Sequence, residues 1–174
     1  EFPIKYIYNT KNIGFGSACN KGVTASTGEF IYLLNPDAKL ETKIDFNLIS
    51  SIFSNFPDVG AISPTVVYPN GSRQISTRNF STLTEASFRL LRLGRLYRNS
   101  RITRAIIDFL PVLPREATSY ISSINNNEPV SRVDWIVGCS IIFSRIAFEK
   151  VGGFDEEYFL YSEDEDICWR LKNS

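Results

Sequence analysis

The chain has 174 residues and a mass of 19.7 kDa, the size of one domain, and 43% of it is hydrophobic, which supports a core and excludes a disordered tail. Lys plus Arg is 19 and Asp plus Glu is 19, so bulk charge gives no argument for a nucleic-acid partner. No apolar run approaches the ~20 residues of a membrane span, and Lys5 and Lys11 interrupt the start too early for a signal peptide.

Ile4, Tyr6 and Tyr8 alternate with other positions and predict a short strand. Residues 14–25 read as a helix entered through a glycine-rich turn, with Gly28 as its stop. EFIYLL (29–34) is a buried parallel strand by length and composition, ended by Asn35-Pro36. Apolar residues at 44, 48, 49, 52 and 53 have helical spacing, and 59–62 reads as another buried strand. Pro69-Asn70-Gly71 between two extended stretches predicts a hairpin over 66–75. Thr82 and Glu85 resemble a capping box at the head of an amphipathic helix. Strands follow at 131–137 and 139–143, then a short helix over 144–151 closed by Gly152-Gly153, and a last helix from about Glu163. The alternation predicts an α/β class with a mostly parallel sheet flanked by helices.

The absence of histidine excludes every His-based mechanism within this chain. Cys19, Cys139 and Cys168 are scattered and odd in number, which argues against a disulfide framework or a Cys-rich zinc site and for a reducing compartment. There is no methionine either, which suggests a start that has been cut or processed.

The zero net charge hides an asymmetry. Arg89, Arg92, Arg95, Arg98, Arg101 and Arg104 fall every third residue within a basic amphipathic segment at 82–110. Such a segment suits an anionic membrane surface, or is a solvated face with snorkelling arginines. Seven acids crowd positions 155–166: Asp155, Glu156, Glu157, Glu163, Asp164, Glu165 and Asp166. An EF-hand fails, because Leu160 stands where glycine is required. Two readings remain open. The acids can serve the macrodipole at a helix start, or a partly buried carboxylate among Tyr158, Phe159, Tyr161 and Trp169 can act as a general base. Gly14-Phe15-Gly16 lacks the third glycine of a dinucleotide fingerprint, so tight packing at a helix start is preferred. Asn35-Pro36-Asp37 is good turn chemistry, and it also sits where a parallel sheet would present an acid to a cation-held diphosphate.

Three stretches, NIGFGSACNKGV (12–23), GEFIYLLNPDAKL (28–40) and VDWIVGCSIIFSRIAFEKVGGFDEEYFLYSEDEDICWRLK (133–172), together resemble the family-2 inverting glycosyltransferases. The resemblance is nearest to the non-processive, rhamnosyltransferase-like members of bacterial surface-polysaccharide pathways. It implies a GT-A fold and transfer of a sugar, such as rhamnose, from a nucleoside diphosphate to a glycan or polyprenyl-linked acceptor. It places Asp37 on the metal-binding acid, for Mn²⁺ or Mg²⁺, with Asn35 in place of the first acid of that motif. It places Asp164, in Glu163-Asp164, on the catalytic base. Asn20 and Gly22 fall near the nucleotide sugar, and Trp135, Gly138 and Cys139 match the acceptor side. Trp135 and Tyr161 then offer faces for sugar stacking, or are ordinary core aromatics.

The family usually opens with a strand-helix-strand unit that holds the nucleoside base, and many members add a histidine metal ligand. Neither is in this chain, which implies a partial catalytic domain over 1–174, incomplete at the N-terminus, inactive alone and prone to self-association through the edge of EFIYLL. The expected location is the cytoplasm, at the inner face of the membrane. The competing reading is a non-catalytic membrane-surface module built on the arginine segment.

Overall fold

A hydrophobic run flanked by strands on both sides must be the middle of a sheet, and SIIF is such a run. In the computed structural model, which describes residues 4–80 and 131–174, Ser140–Ser144 is the central strand of a three-stranded sheet. In chain order the elements are α1 (Phe15–Thr24), β1 (Phe30–Leu34), α2 (Phe46–Asn55), β2 (Ala61–Ile62), β3 (Thr77–Arg78), β4 (Trp135–Ile136), β5 (Ser140–Ser144), α3 (Arg145–Lys150) and α4 (Glu163–Lys172). The α/β class holds, with helices and strands interleaved.

The expected parallel pairing is corrected. β5 lies between β1 and β2 and runs antiparallel to both, with Ile31 opposite Phe143 and Ile62 opposite Ile142. β1 and β2 therefore point the same way but never touch; the returning strand occupies the place between them. β3 and β4 form a separate antiparallel pair, Arg78 opposite Trp135. Every strand pairing among the described residues is antiparallel.

The helices follow their local chemistry. Asp45 Oδ1 accepts the N–H groups of Asn47 and Leu48 at 3.0 and 3.1 Å, so α2 begins at Phe46 and Asp45 is its cap. α1 stops at Thr24, ahead of Gly28. Gly152 and Gly153, at φ 79° and 73°, turn the chain out of α3, and the Gly153 N–H donates to the Phe148 carbonyl. The hairpin over 66–75 is present: the Tyr68 N–H donates to Ser72 O, and the Gly71 N–H to Tyr68 O. The strand expected over 131–137 is reduced to two residues, and the one at 59–62 to Ala61–Ile62. Residues 4–8 join no strand, and Ile4, Tyr6 and Tyr8 are exposed. Alternation there marks a strand-like sequence with no partner strand among the described residues.

The core lies between β5 and the helices that follow it. Ile141, Phe143, Phe154 and Ile167 are fully buried. Phe143, Phe148 and Phe154 meet edge to face at 5.3–6.0 Å, and Phe15 of α1 adds a fourth ring against Phe154. Each such ring contributes about 1.5–3 kcal/mol by burial, with edge-to-face contacts adding to it. This cluster fixes α1 and the loop after α3 against the sheet, and so sets where α4 starts.

Contacts divide the chain into one unit of Glu1–Arg78 with Asp134–Ser174 and a second of Asn79–Val133. All the elements named above belong to the first. The arginine segment at 82–110 and its capping box lie outside the described residues. Among the described residues no helix is long and apolar enough to cross a membrane.

Candidate active site

β1 delivers the Asn35-Pro36-Asp37 turn to the end of the sheet. The turn closes through the Ala38 N–H on Asn35 O at 3.0 Å. It is tied to the next strand by the Asn35 N–H on Cys139 O at 3.1 Å. Asp37 stands exposed at its tip.

α4 delivers the second carboxylate. The Gly138 N–H donates to Asp164 Oδ2 at 2.9 Å, and the Glu165 N–H donates to Oδ1 at 2.9 Å. Two N–H donors, one on each oxygen, fix the orientation of this carboxylate. Phe15 closes the other side: a Cβ added at Gly138 would lie 3.5 Å from its ring and 3.7 Å from Asp164 Oδ2. Asp37 and Asp164 converge on Cys139. Its thiol is pushed up chiefly by burial, and also by the charges of both Asp37 and Asp164.

The acidic cluster divides into separate roles. Asp155 accepts the Glu157 N–H in a local turn, and Glu156 accepts the Asn20 amide. Asp166 takes the Arg170 guanidinium at 2.6 and 2.8 Å, and the same guanidinium reaches the carbonyls of Val151 and Gly153. That clamp ties α4 to the turn after α3. Acids in the first turn of α4 and Arg170 and Lys172 in the last match the macrodipole. Both open readings of the cluster therefore have residues to carry them.

Glu163 differs from the rest. It is 6% exposed, and its Oε2 has no hydrogen-bond partner among the described residues. Burial pushes its carboxyl up, a bond from its own backbone N–H opposes that, and the Asp164 charge adds to the rise. Tyr161 and Ser162, at φ 69° and 70°, turn the chain into this helix, a backbone that costs roughly 1–3 kcal/mol at each non-glycine residue.

The expected site residues fare unequally. Asp37, Asn35, Gly138, Cys139 and Asp164 are brought together, with Glu163 beside Asp164. Asn20 is occupied in packing, since its amide donates to Phe154 O at 2.8 Å and accepts the Phe154 N–H at 3.0 Å. Gly22 is exposed, and a Cβ there would meet nothing within 4 Å beyond its own helix. Trp135 has the Arg78 guanidinium 5.5 Å from its ring centre, so one face is engaged by a cation. Tyr161 is 79% exposed at the head of α4.

The tight packing expected at Gly14-Phe15-Gly16 is present: at Gly14, φ 86°, a Cβ would stand 2.5 Å from Phe159 O, which also accepts the Phe15 N–H. Two features of the site escape a sequence reading. The ring of Phe15 lies beside Gly138, the residue that binds Asp164. The three cysteines also meet the acidic pair. Cys19 is pushed up to about 11 by burial and then by Glu163, and Cys168 to about 11 by burial, with Asp164 and Glu165 adding to it. All three are free thiols.

Among the described residues no three His, Cys, Asp or Glu side chains gather to hold a cation. Asp37 alone, exposed at the strand end, fits a cation that arrives with its ligand. Mg²⁺ keeps several waters and binds through one or two carboxylates plus substrate phosphates.

Residues 1–111 match the glycosyl transferase family 2 model, and residues 118–174 match the N-terminal domain of galactosyltransferase. The chain belongs to glycosyl transferase family 2. It is 30% identical to the N-acetylglucosaminyl-diphospho-decaprenol L-rhamnosyltransferase of Mycobacterium tuberculosis, over 92% of this chain and 50% of that protein. It is 27% identical to the low-salt glycan biosynthesis hexosyltransferase Agl10 of Haloferax volcanii, over 97% of this chain and 46% of that protein. The chain thus spans about half the length of these two relatives. Over an alignment of 68 residues, covering 35% of this chain and 26% of that protein, it is 35% identical to the rhamnosyltransferase WbbL of Escherichia coli. No solved structure matches the chain.

Proposed function

We propose that this chain is the catalytic part of an inverting glycosyltransferase. The donor is a nucleoside diphosphate sugar, with rhamnose the leading candidate, and the acceptor is a glycan on a polyprenyl diphosphate. The names of the mycobacterial and Escherichia coli relatives support that choice of sugar, and the mycobacterial name that choice of acceptor. Such an acceptor is anchored in the membrane, so the reaction runs at the inner membrane face, within surface polysaccharide synthesis.

The observation that carries this reading is the meeting of the Asp37 turn and Asp164 at Gly138-Cys139, where the Asn35 N–H donates to Cys139 O and the Gly138 N–H donates to Asp164 Oδ2. One carboxylate is exposed and able to meet a ligand; the other is fastened and aimed. Asp164 removes the proton from the acceptor hydroxyl as that oxygen attacks the anomeric carbon. The bond to the diphosphate breaks on the opposite face, and the configuration inverts. Asp37 would anchor a divalent cation bound with the diphosphate, which neutralises charge on the departing phosphates. Asn35 and Cys139 hold the Asp37 turn in place through the backbone. Gly138 orients Asp164, and Tyr161 offers an exposed ring to the acceptor sugar.

The test is Asp164→Asn in the full-length enzyme. Transfer should fall on the order of 10²–10⁴-fold, while donor binding stays unchanged, because a general base acts in the transition state. A variant with near-normal turnover would remove Asp164 from this role.

A further inference from the structure

Two adjacent carboxylates at the head of α4 have opposite surroundings. Asp164 receives the N–H groups of Gly138 and Glu165, one on each oxygen. Glu163 is buried to 6% exposure, and its Oε2 meets no donor among the described residues. A buried carboxylate with an unpartnered oxygen costs the fold more as an anion than as an acid.

We propose that Glu163 is a positioning residue that works as the neutral acid: protonated and buried beside Asp164, it keeps the start of α4 closed and Asp164 fastened to the Gly138 N–H.

The titratable groups that bear on Glu163 are Cys19 of α1 and Asp164 of its own helix. Cys19 is a neutral thiol, held up to about 11 by burial and then by Glu163 itself. It supplies no positive charge to receive a glutamate anion, and Asp164 opposes one. Ionised Glu163 must therefore find water. The chain in front of it is already strained at Tyr161 and Ser162, so the helix start is where the fold would open. Opening there carries Asp164 off Gly138, and a base displaced by about 1 Å can lose on the order of 10²-fold in rate. The device sets an upper pH limit on the site, at the pH where Glu163 gives up its proton.

The role of Asp164 rests on the function proposed above; the protonation of Glu163 does not, and one experiment separates them. The chain is labelled with ¹³C at the glutamate carboxyl carbons and titrated by NMR. One glutamate should keep the chemical shift of a protonated carboxyl well above the pH at which the others ionise. That resonance should vanish in both Glu163→Gln and Glu163→Asp, because neither variant carries a labelled glutamate at 163. If every glutamate of the parent chain titrates in the ordinary range, the proposal is wrong, whatever the variants do. In the full-length enzyme the parent's rate should fall on the alkaline side as Glu163 ionises, and Glu163→Gln should lose that limb. An unchanged alkaline limb in a folded Glu163→Gln enzyme would also overturn the proposal, because a purely structural glutamate would leave the limb where it was.

Discussion

The two carboxylate-bearing regions of the site are built in contrasting ways. Asp37 sits at the tip of an exposed turn held by two backbone bonds, one of them to Cys139. Asp164 is half-buried, bonded on both oxygens, and backed by Phe15, which packs in turn on the Phe154 cluster. The contrast matches two chemical roles. A group that meets an incoming charged ligand must be open to water, and loses little by being mobile. A group that takes a proton in a transition state must be aimed beforehand, because reorientation at that moment adds to the barrier. The fold commits its rigid elements to the second role.

The contrast is broken most severely by removing the N–H that aims Asp164. Gly138→Pro deletes that donor and should cost on the order of 10²-fold in turnover with donor binding retained. Gly138→Ala keeps the N–H, and its Cβ would sit 3.5 Å from Phe15, an ordinary contact, so it should stay within a few fold of the parent. Equal losses in both variants would mean that space at 138, and not the hydrogen bond, is what matters. Thermal melting of each reports whether the fold survives.

Gly14→Ala strikes the support of the fastened region. A Cβ there would stand 2.5 Å from the Phe159 carbonyl on a backbone at φ 86°. Denaturant unfolding should show a loss of roughly 1–3 kcal/mol from the conformation alone. A variant as stable as its parent would show that the start of α1 is free to move away from residue 159.

Asp37→Ala tests the open region and should weaken binding of a nucleoside diphosphate sugar by about tenfold, or about 1.4 kcal/mol, with Mn²⁺ or Mg²⁺ present. In a chelator the parent and variant should bind alike. Equal weakening under both conditions would show that Asp37 acts on the ligand without a cation.

The smallest effect is on stability against pH. Glu163 has a carboxyl raised above its ordinary value near 4.5 chiefly by burial, against a bond from its own backbone N–H, with the Asp164 charge adding to the rise. A raised carboxylate costs the folded state nothing below that ordinary value, where both states hold the proton. The cost grows as pH rises from there toward the folded-state value. Glu163→Gln should therefore gain stability relative to the parent as pH increases over that window. A melting difference that does not change with pH would contradict a raised Glu163.

Much of this site was legible in the sequence because its chemistry is local. An apolar run ended by Asn35-Pro36-Asp37 marks a strand end with an acid on it, and four acids in a row mark the head of α4. Gly152-Gly153 as a helix exit is equally local. What could not be read depends on partners distant in the chain. The pairing of β5 with β1 joins residues distant in the chain, and hydrophobicity alone does not distinguish a parallel from an antiparallel central strand. The bonds between the Asn20 amide and the Phe154 backbone join residues far apart in the chain, and no local pattern announces them. Ile4 to Tyr8 has strand-like alternation and joins no strand here, since alternation specifies a face and not a neighbour.

At the centre of the proposed mechanism, one fastened base acts in a single displacement, with no protein carboxylate attacking the sugar. Its most direct test is the anomeric configuration of the first product formed by the full-length enzyme, read by ¹H NMR against the configuration of the donor. The mechanism predicts inversion at the anomeric carbon. Retention would contradict it, because a single displacement from the face opposite the diphosphate must invert the anomeric carbon.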